Sequence, residues 1–356
     1  MKLSFENIFI DATKTVEKIP QTEYLPSGQY PIIDQGQRHI AGYSNHSTGF
    51  CADVPAIIFG DHTRVIKYID KPFFIGADGV KVLKSKSNAT DYKYLFYALS
   101  SIKIPNTGYN RHFKWLKGSK IPVYNSTLQK RIAKRLDKVQ ELIAKQKEQI
   151  AKLDLLIKSR FLDMFGDPIS NPKKWPCQSL SNVAPKQSRK VATVSSAVWL
   201  LNLDQIEGNN GRVIKKERLD SSELGNSILP FYSGEVLYSK LRPYLNKVVL
   251  ADEDGFCTTE LLPLHPQKEI CNALFLAHLL RQQSVVVVLS IRVVGAKMPR
   301  VDLTTLRNLL IPLPPLSLQS QFANFVKSVE QQKEVFSARL SHLEVLYKSL
   351  MQEYFG

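Results

Sequence analysis

The sequence predicts an α+β protein. Two mixed, mostly β domains are joined by two long antiparallel helices that form an intramolecular coiled coil with pseudo-twofold symmetry. The first observation behind this prediction is an internal repeat: residues 121–166 and 311–356 are copies of one 46-residue segment, offset by 190 positions without a gap and identical at 12 positions. A repeat of this length defines the architecture of a chain. The second observation is that a domain-sized segment of different sequence precedes each copy.

The chain therefore divides into four parts, which are residues 1–120, 121–166, 167–310 and 311–356. We call residues 1–120 the first head and residues 167–310 the second head. In the first head, short apolar runs such as QYPIIDQGQ and VPAIIFGDHTR are broken by Gly, Pro, Asn and Asp. That pattern is typical of a small, mostly β domain. The run Tyr92–Leu99 predicts one short buried helix.

Residues 121–166 predict a helix with a heptad seam, because the apolar spacings are mostly three and four. The seam residues are Ile132, Leu136, Val139, Ile143, Ile150, Leu153, Ile157 and Met164. From Leu128 to Phe165 the helix would be about 57 Å long at 1.5 Å per residue. Ser126 and Gln129 have the spacing of a capping box, and Gly166 suits the position after the last helical residue.

The second head repeats the pattern of the first, with runs such as AVWLLNL and GEVLYSKLRPYLNKVVLA and a predicted helix at Asn272–Arg281. A faint alignment of AIIFGDHTRVIKYID with EVLYSKLRPYLNKVV suggests that the heads are distant copies that diverged on their exposed loops.

The second repeat keeps the heptad register of the first, with Ser317 as the expected N-cap. Its seam residues are Phe322, Val326, Val329, Phe336, Leu340, Leu343, Tyr347, Leu350 and Tyr354. The polar seam residue Lys333 of the second copy corresponds to the apolar Ile143 of the first. Because the two seams differ in this way, the two helices are expected to pack against each other rather than against copies of themselves. The alternative is an ordinary helical hairpin inside one domain. The domain-sized segment between the copies argues against it.

The net charge of +16 constrains the partner. Residues 1–120 carry +6, residues 121–166 carry +5, residues 167–310 carry +5, and residues 311–356 are neutral. A polyanion is the natural partner of two basic heads, because phosphate contacts release condensed counterions. A surface that serves only solubility would have the same balance.

Clusters of basic, amide and aromatic residues supply candidate contacts to DNA. The densest is Gly108–Trp115, in which Arg111 could read guanine, Asn110 adenine, and Lys114 a phosphate. The alternative is that its aromatic residues are core and its polar residues are merely solvated. The candidate DNA-binding residues are Arg38, His39, His62, Arg64, Asn110, Arg111, His112, Lys114, Lys240, Arg242, Tyr244, Asn246, Lys247, Lys297 and Arg300.

Sequence motifs of several enzyme classes are missing. The chain contains no P-loop, no G-x-G-x-x-G and no N-P-P-[YF] tetrapeptide, and its four cysteines form no C-x-x-C pair. Asp61 and His62 could be imagined as acid and base, but no third partner is apparent and a solvated loop is the simpler reading. No signal peptide is visible, and the longest apolar run is too short to span a bilayer. We therefore expect a cytoplasmic protein without a membrane partner, and no catalytic or metal-ligating residues.

Two motifs accompany the order of head, helix, head and helix: the repeated segment IPLPPLSLQ at Ile311–Gln319, degraded to IPVYNSTLQ in the first copy, and the helix end SRFLDMFGDP. With these features the chain resembles, across essentially its whole length, the specificity subunits of type I restriction–modification systems. YPIIDQGQ, FGDHTR and GYNRHFKWLK resemble one type of recognition domain, and LYSKLRPYLNK and MPRVD resemble another. The first copy departs from the pattern at Tyr124-Asn125, where the second has Pro314-Pro315.

The resemblance implies a non-catalytic subunit whose heads are target recognition domains, each reading one half of an asymmetric, bipartite double-stranded DNA sequence. The helices would set the spacing and recruit two methyltransferase subunits, and restriction/translocase subunits would join that core. S-adenosylmethionine, ATP and Mg²⁺ would belong to those partners. The alternatives are a specificity subunit of a type IIB-like system, a coiled-coil adaptor whose heads bind protein, and an enzyme with an unrecognised motif.

Overall fold

A computed structural model describes residues 1–76, 78–187, 197–225 and 227–356. Two compact units make up the chain. The first contains Met1–Gln146 and Ala338–Gly356, and the second contains Lys147–Ser337. Each unit therefore includes one head and part of both repeats. The four-part division of the sequence stays a prediction, because the boundaries of the units fall inside the repeats.

The first unit is built on the strands and helices of the first head. Its strands are β1 (Lys2–Ser4), β2 (Phe9–Asp11), β3 (Tyr30–Ile33), β4 (Gly42–Ser44), β5 (Ala56–Gly60), β6 (Ile66–Ile69), β7 (Phe74–Ile75), β8 (Val80–Ser85) and β9 (Lys120–Pro122). Its head helices are α1 (Phe5–Ile8), α2 (Tyr92–Ser100) and α3 (Phe113–Lys117). The strands form a four-stranded sheet in the order β2-β8-β5-β6, a three-stranded sheet in the order β4-β3-β7, and a β1-β9 pair.

Strand β5 lies between β8 and β6 in the four-stranded sheet, and all five of its residues, AIIFG, are buried. A short uninterrupted apolar run of this kind is what a strand covered on both faces requires. The predicted helix of this head is α2. It starts where the side chain of Asp91 accepts a hydrogen bond from the backbone N–H of Tyr94 at 2.8 Å, which is N-capping by an aspartate.

The second unit is built on the second head. Its strands are β10 (Cys177–Ser179), β11 (Val198–Leu201), β12 (Glu217–Leu219), β13 (Ile228–Phe231), β14 (Val236–Ser239), β15 (Val248–Leu250), β16 (Gly255–Thr258), β17 (Leu261–Leu264), β18 (Val293–Val294), β19 (Arg300–Val301) and β20 (Leu310–Pro312). The sheet orders are β12-β11-β16-β13, β15-β14-β17, β10-β20 and β18-β19. Its head helices, after the long helix α4 (Ser126–Phe165) of the first repeat, are α5 (Leu180–Val183), α6 (Ala273–Leu280), α7 (Gln283–Ile291) and α8 (Leu303–Arg307).

The two heads share one topology, as the faint sequence alignment suggested. Each begins with a strand that pairs antiparallel with the last strand of the same head, Leu3 opposite Ile121 in the first and Gln178 opposite Ile311 in the second. Each also contains one parallel strand pair, β3 with β7 and β11 with β16. The heads are therefore structural duplicates that carry different loops.

Both repeats form long helices that end at the predicted phenylalanines. They are α4 and α9 (Leu316–Phe355), each of 40 residues. Gly166 follows α4 with a φ of +77°, which favours glycine. In the first unit, the start of α4 packs against the end of α9, where the hydroxyl of Tyr124 donates to the carbonyl of Tyr354 at 3.1 Å. In the second unit, the ring of Phe161 meets that of Phe322 edge-on at 5.5 Å. Within each unit, the two helices are therefore antiparallel.

Burial along the predicted seam follows this pairing. The fully buried seam residues are Ile132, Leu136, Val139, Ile143, Ile157, Met164, Phe322, Val326, Val329 and Leu350. The partly buried ones are Ile150, Leu153, Phe336, Leu340, Leu343, Tyr347 and Tyr354. The polar seam residue Lys333 is partly buried. Its ammonium pairs with Asp154 at 2.6 Å, because a partly buried charge needs an opposite charge more than it needs packing.

The predicted N-caps of the long helices are wrong, whereas the glycine predicted after α4 is confirmed. Helix α4 is capped by Asn125, whose side chain accepts from the backbone N–H of Leu128 at 2.9 Å. Gln129 does not complete a capping box: its amide donates to the carbonyl of Tyr124 at 2.7 Å, and its side-chain oxygen accepts from the backbone N–H of Asp91 at 3.1 Å. In α9, Ser317 lies inside the first turn, and the carbonyl of Pro315 accepts from Leu318 at 2.9 Å.

Within the described ranges, no single helix is both long enough and apolar enough to cross a membrane. The pair α6 and α7 meets the length and composition test only when both helices are taken together, and it is bent by 62°.

Candidate nucleic-acid interface

Three loops of the first head meet beside strand β5. They are residues 34–39 after β3, residues 61–64 after β5, and residues 106–112 before α3. We call these three loops the first-head surface. They are brought together by hydrogen bonds from buried polar groups rather than by apolar packing.

The buried side chain of Lys67 is hydrogen-bonded to the backbone of the loop 34–39. Its side chain is only 4% exposed, and its ammonium donates to the carbonyls of Asp34 at 2.8 Å and Arg38 at 2.6 Å. Burial lowers the pKa of Lys67, and the neighbouring Asp34 carboxylate opposes that shift. A buried ammonium is stable only when its N–H groups are hydrogen-bonded. The backbone carbonyls of this loop therefore surround the ammonium of Lys67.

Gln35 and Asp61 connect the loops to one another. The side-chain oxygen of Gln35 accepts from the backbone N–H of His62 at 3.2 Å, and its carbonyl accepts from the hydroxyl of Thr63 at 2.6 Å. The carboxylate of Asp61, which is 2% exposed, accepts from the backbone N–H of Phe113 at 2.7 Å. The three loops are thus one connected hydrogen-bonded structure, in which Asp61 has a structural role.

Most of the predicted contact residues of the first head lie on this surface. Arg38, His39, Asn110, Arg111 and Lys114 are exposed, whereas His62 and Arg64 are partly buried.

His112 is a wrong prediction. It is 0% exposed, and its ring nitrogens face the carbonyl of Asp61 at 3.0 Å and the hydroxyl of Thr107 at 3.2 Å. A buried imidazole with both nitrogens occupied supports the loop and has no free edge for DNA.

The second head brings together three segments, two of which correspond to loops 61–64 and 106–112 of the first head. Residues 239–247 follow the buried strand β14, and they meet residues 258–260 and 297–301. The backbone N–H of Arg242 donates to the carbonyl of Pro299 at 2.7 Å, and that of Lys240 donates to the carbonyl of Glu260 at 2.9 Å. We call these three segments the second-head surface. Arg242, Tyr244 and Lys297 are exposed on it, and Lys240 is partly buried.

Three predicted contacts of the second head make hydrogen bonds within the protein. Asn246 is a wrong prediction because it is buried, whereas Lys247 and Arg300, whose side chain is 43% exposed, stay predictions. Asn246 is 4% exposed, and its amide donates to the carbonyl of Arg281 at 3.0 Å. The ammonium of Lys247 donates to the carbonyl of Leu203 at 2.7 Å. Arg300 forms a forked ion pair with Glu260, the shortest N–O distance being 2.6 Å. These groups hold the segments together, and the bond from Arg300 lowers the pKa of Glu260.

A left-handed arginine occurs in each of the two surfaces. Arg64 has a φ of +62° and Arg242 a φ of +49°, and each follows the buried strand of its own head. Positive φ is uncommon outside glycine and costs energy, and residues in such conformations cluster at binding sites. The turn after the buried strand of each head therefore contains one arginine with a left-handed backbone, and only that of the second head is exposed.

Sequence reasoning missed Tyr109 and Lys67. Tyr109 is 87% exposed at the tip of the loop 106–112, and its position directly after Gly108 was the available signal. Lys67 is in phase with Ile69 on strand β6, where both are buried. The period of two in a strand could have placed this lysine on the inner face. Among the residues that the structure describes, no group of three or more His, Cys, Asp or Glu side chains is arranged to hold a metal ion.

Comparisons with known proteins agree with this architecture. The family model "Type I restriction modification DNA specificity domain" matches residues 8–155 and 213–344. The chain is 25% identical over 163 residues, or 46% of its length, to the EcoDI specificity subunit of Escherichia coli. It is 27% identical over 135 residues, or 34% of its length, to the EcoR124I/EcoR124II specificity subunit of the same organism. These matches span 35% and 33% of the two relatives, about a third of each.

The fold is similar to solved structures over the whole chain. The S subunit of a type I restriction–modification system from M. genitalium matches with a TM-score of 0.61 and 16% sequence identity, covering 100% of this chain and 96% of that one. The family match extends over most of each head and most of each long helix. The chain therefore belongs to the family of type I restriction modification DNA specificity domains.

Proposed function

We propose that this chain is the sequence-specific DNA recognition subunit of a type I restriction–modification complex. One observation carries the proposal: on one topology, each head joins the turn after its buried strand, 61–64 or 240–247, to the segment before its last short helix, 106–112 or 297–301, but with different exposed side chains. Arg38, His39 and Arg111 project from the first head, and Arg242 and Lys297 from the second. Two similar frames with different contact residues suit two readers of different half-sites.

The exposed basic residues supply the electrostatic part of this function. Arginine and lysine on the loops can neutralise phosphates and release counterions, and arginine can bind guanine through two hydrogen bonds. Two candidates are left out of this proposal, since His112 and Asn246 are buried and hydrogen-bonded inside the protein. The base-reading residues are expected among those that remain exposed.

The long helices support a proposal for protein partners. Leu155 and Leu156 on α4 are 62% and 46% exposed, and Val345 and Leu346 on α9 are 62% and 42% exposed. The two pairs occupy equivalent positions of the repeat, one in each unit. Exposed apolar pairs on otherwise polar helices suit docking of a protein partner, and equivalent pairs suit two copies of the same partner. We infer that each pair docks one methyltransferase subunit, and that restriction/translocase subunits join this core.

Catalysis is proposed to belong to those partners, and this chain is proposed to be non-catalytic. On this proposal, S-adenosylmethionine binds to the methyltransferase subunits, and ATP and Mg²⁺ act in the restriction/translocase subunits. The site of action would be the cytoplasm, where chromosomal and incoming DNA are both available.

A head exchange tests the recognition proposal. Residues 1–120 are replaced by the first head of a related chain, the protein is produced with its methyltransferase subunits, and the methylated sequences of the host are mapped. One half of the bipartite target should change and the other half should stay. A simultaneous change of both halves would contradict two independent readers. Failure of the unmodified complex to bind any duplex would favour the protein-binding adaptor, and the neighbouring genes would identify a type IIB-like system.

Native mass spectrometry tests the docking proposal. The double variants Leu155→Lys with Leu156→Lys, and Val345→Lys with Leu346→Lys, should each reduce the complex from two methyltransferase subunits to one. Methionine at the same positions keeps the apolar surface and is the matched control. Two bound subunits in both lysine variants would show that these pairs are not the docking positions.

A further inference from the structure

The first-head surface contains an aromatic pair that the proposed contacts to phosphates and base edges do not use. The rings of His62 and Tyr109 are stacked, with centroids 4.6 Å apart and planes inclined by 7°. Tyr109 is 87% exposed, so one face of its ring lies on the imidazole and the other is open to solvent. An exposed aromatic ring of this kind gains little for the fold, since its apolar area stays in water.

Gln35 and Gly79 contact His62, the inner member of this pair. The backbone N–H of His62 donates to the side chain of Gln35 at 3.2 Å. The imidazole lies against Gly79, where a Cβ would come within 2.8 Å of its Cδ2 atom. Gly79 also has a φ of +81°, so both its backbone conformation and the close approach of the ring require glycine. The histidine ring is therefore a fixed support.

The loop that carries Tyr109 is anchored on both sides of the ring. The amide of Asn110 donates to the carbonyl of Thr107, and the hydroxyl of Thr107 faces buried His112 at 3.2 Å. Gly108 precedes the tyrosine with a φ of +77°, and nothing lies within 4 Å of the place where its Cβ would be. The space beside the tip of the loop is open, while its base is tied to the core.

We propose that the outer face of Tyr109 is a binding site for the face of one unstacked nucleobase in or beside the first half-site. The inference rests on the proposed DNA recognition and adds a ligand class to it. An aromatic ring stacks on a base without regard to sequence, and aromatic or apolar side chains inserted at a base step distort the duplex. Arg38 and Arg111 on the same surface can hold the flanking phosphates.

The chemistry fits two geometries that differ in the DNA. Either the base swings out of the duplex onto Tyr109, or the tyrosine ring enters between two base pairs. In both, the ring of Tyr109 replaces a base–base contact. His62 acts as a positioning residue, since it touches the tyrosine and not the base.

The test measures binding of the complex with methyltransferase to its methylation target. Tyr109→Leu should weaken binding roughly 5- to 150-fold, the range that follows from loss of one base–aromatic stack. Tyr109→Phe should bind like the unaltered protein. A mismatch beside the first half-site, which removes the cost of unstacking, should tighten binding by the unaltered protein and not by Tyr109→Leu. Tyr244→Leu, in the second head, is the comparison variant: whatever its effect on binding to the second half-site, it should keep the response to a mismatch beside the first half-site.

Fluorescence of 2-aminopurine placed along the first half-site separates the two geometries. A large rise at one position indicates an extruded base, and a small rise at two adjacent positions indicates insertion. Equal affinities and mismatch responses for Tyr109→Leu and the unaltered protein would overturn the inference. So would loss of methyltransferase binding by Tyr109→Leu in the absence of DNA, which would assign the ring to a protein contact. If the unaltered complex shows no preference for any duplex, the proposed function itself fails.

Discussion

Replacing Gln319 by leucine should destabilise the second unit at the start of helix α9. Gln319 is 0% exposed. Its side-chain oxygen accepts from the backbone N–H of Asn272 at 2.8 Å, and its amide donates to the carbonyls of Pro314 at 2.8 Å and Ile270 at 3.1 Å. This one side chain therefore joins the first turn of a long helix to the N-terminus of the head helix α6.

The magnitude follows from the groups left without partners. Leucine has nearly the volume of glutamine, so the substitution opens no large cavity. It leaves at least one N–H and one carbonyl unsatisfied in the interior, each at a cost of about 1–3 kcal/mol. Burial of the added apolar surface offsets part of this cost. We expect a net loss of about 2–4 kcal/mol in the free energy of opening of the second unit.

Gln129→Leu is the matched comparison in the first unit. Gln129 has the same position in the repeat but makes two of these bonds, to the N–H of Asp91 at 3.1 Å and to the carbonyl of Tyr124 at 2.7 Å. Its loss should therefore be smaller, about 1–3 kcal/mol, and confined to the first unit. The order of the two effects is a sharper prediction than either value alone.

Native-state amide hydrogen exchange is the appropriate assay, because a chain of two units need not unfold in one step. Gln319→Leu should speed exchange in α6 and leave α2 unchanged, and Gln129→Leu should do the reverse. A change below about 0.5 kcal/mol, within the range of ordinary surface substitutions, would refute the reasoning. Equal changes in both helices would show that the two glutamines do not act within separate units.

Three further predictions concern charge. Arg111→Ala should weaken binding or relax specificity in one half-site only, by about 1–3 kcal/mol if the guanidinium contacts a base edge; an unchanged methylation profile would remove it from the readers. Lys67→Met should loosen the loop 34–39 and weaken binding to the first half-site by about 1.5–3 kcal/mol, whereas Lys84→Met, which loses similar bonds to the carbonyls of Asp53 and Pro55, should not. Burial, with nearby Arg281 and Lys333, holds the pKa of His278 well below its usual value. As the pH falls, His278 is therefore protonated in the unfolded chain at a higher pH than in the folded protein. The free energy of unfolding should decrease as the pH drops below about 6.5, by up to about 2 kcal/mol at pH 5. Thermal unfolding of His278→Gln should show less of this acid dependence, and identical pH profiles for the two proteins would exclude the histidine as the cause.

Sequence reasoning reached the fold because the relevant signals are local or repeated. The heptad seam predicted both long helices to within two or three residues at their starts and correctly at their ends. The runs AIIFG and EVLYS marked the buried strand of each head, because a strand covered on both faces must be apolar throughout. Pairing between the helices was also predicted from the sequence, since two apolar heptad seams in the same register and in one chain can bury each other.

Placement of the polar side chains could not be predicted in the same way. His112 and Asn246 were chosen as contacts because their residue types suit DNA, yet both are buried and hydrogen-bonded inside the protein. Whether a loop side chain points outward depends on which buried carbonyl or carboxylate lies within about 3 Å of it, and that distance joins residues far apart in the chain. Lys67 was overlooked for the same reason, since its partners lie some thirty positions away in the sequence.

The sequence by itself determined the repeat, the two helices, the basic heads and the family resemblance, because periodicity, composition and motif order are properties of consecutive residues. Only the tertiary structure decided which polar groups support the loops and which face outward. It also revealed the left-handed arginine of each head and the stack of Tyr109 on His62. These features arise where segments distant in sequence meet, and the hydrogen bonds and close ring contacts that create them exist only once the chain has folded.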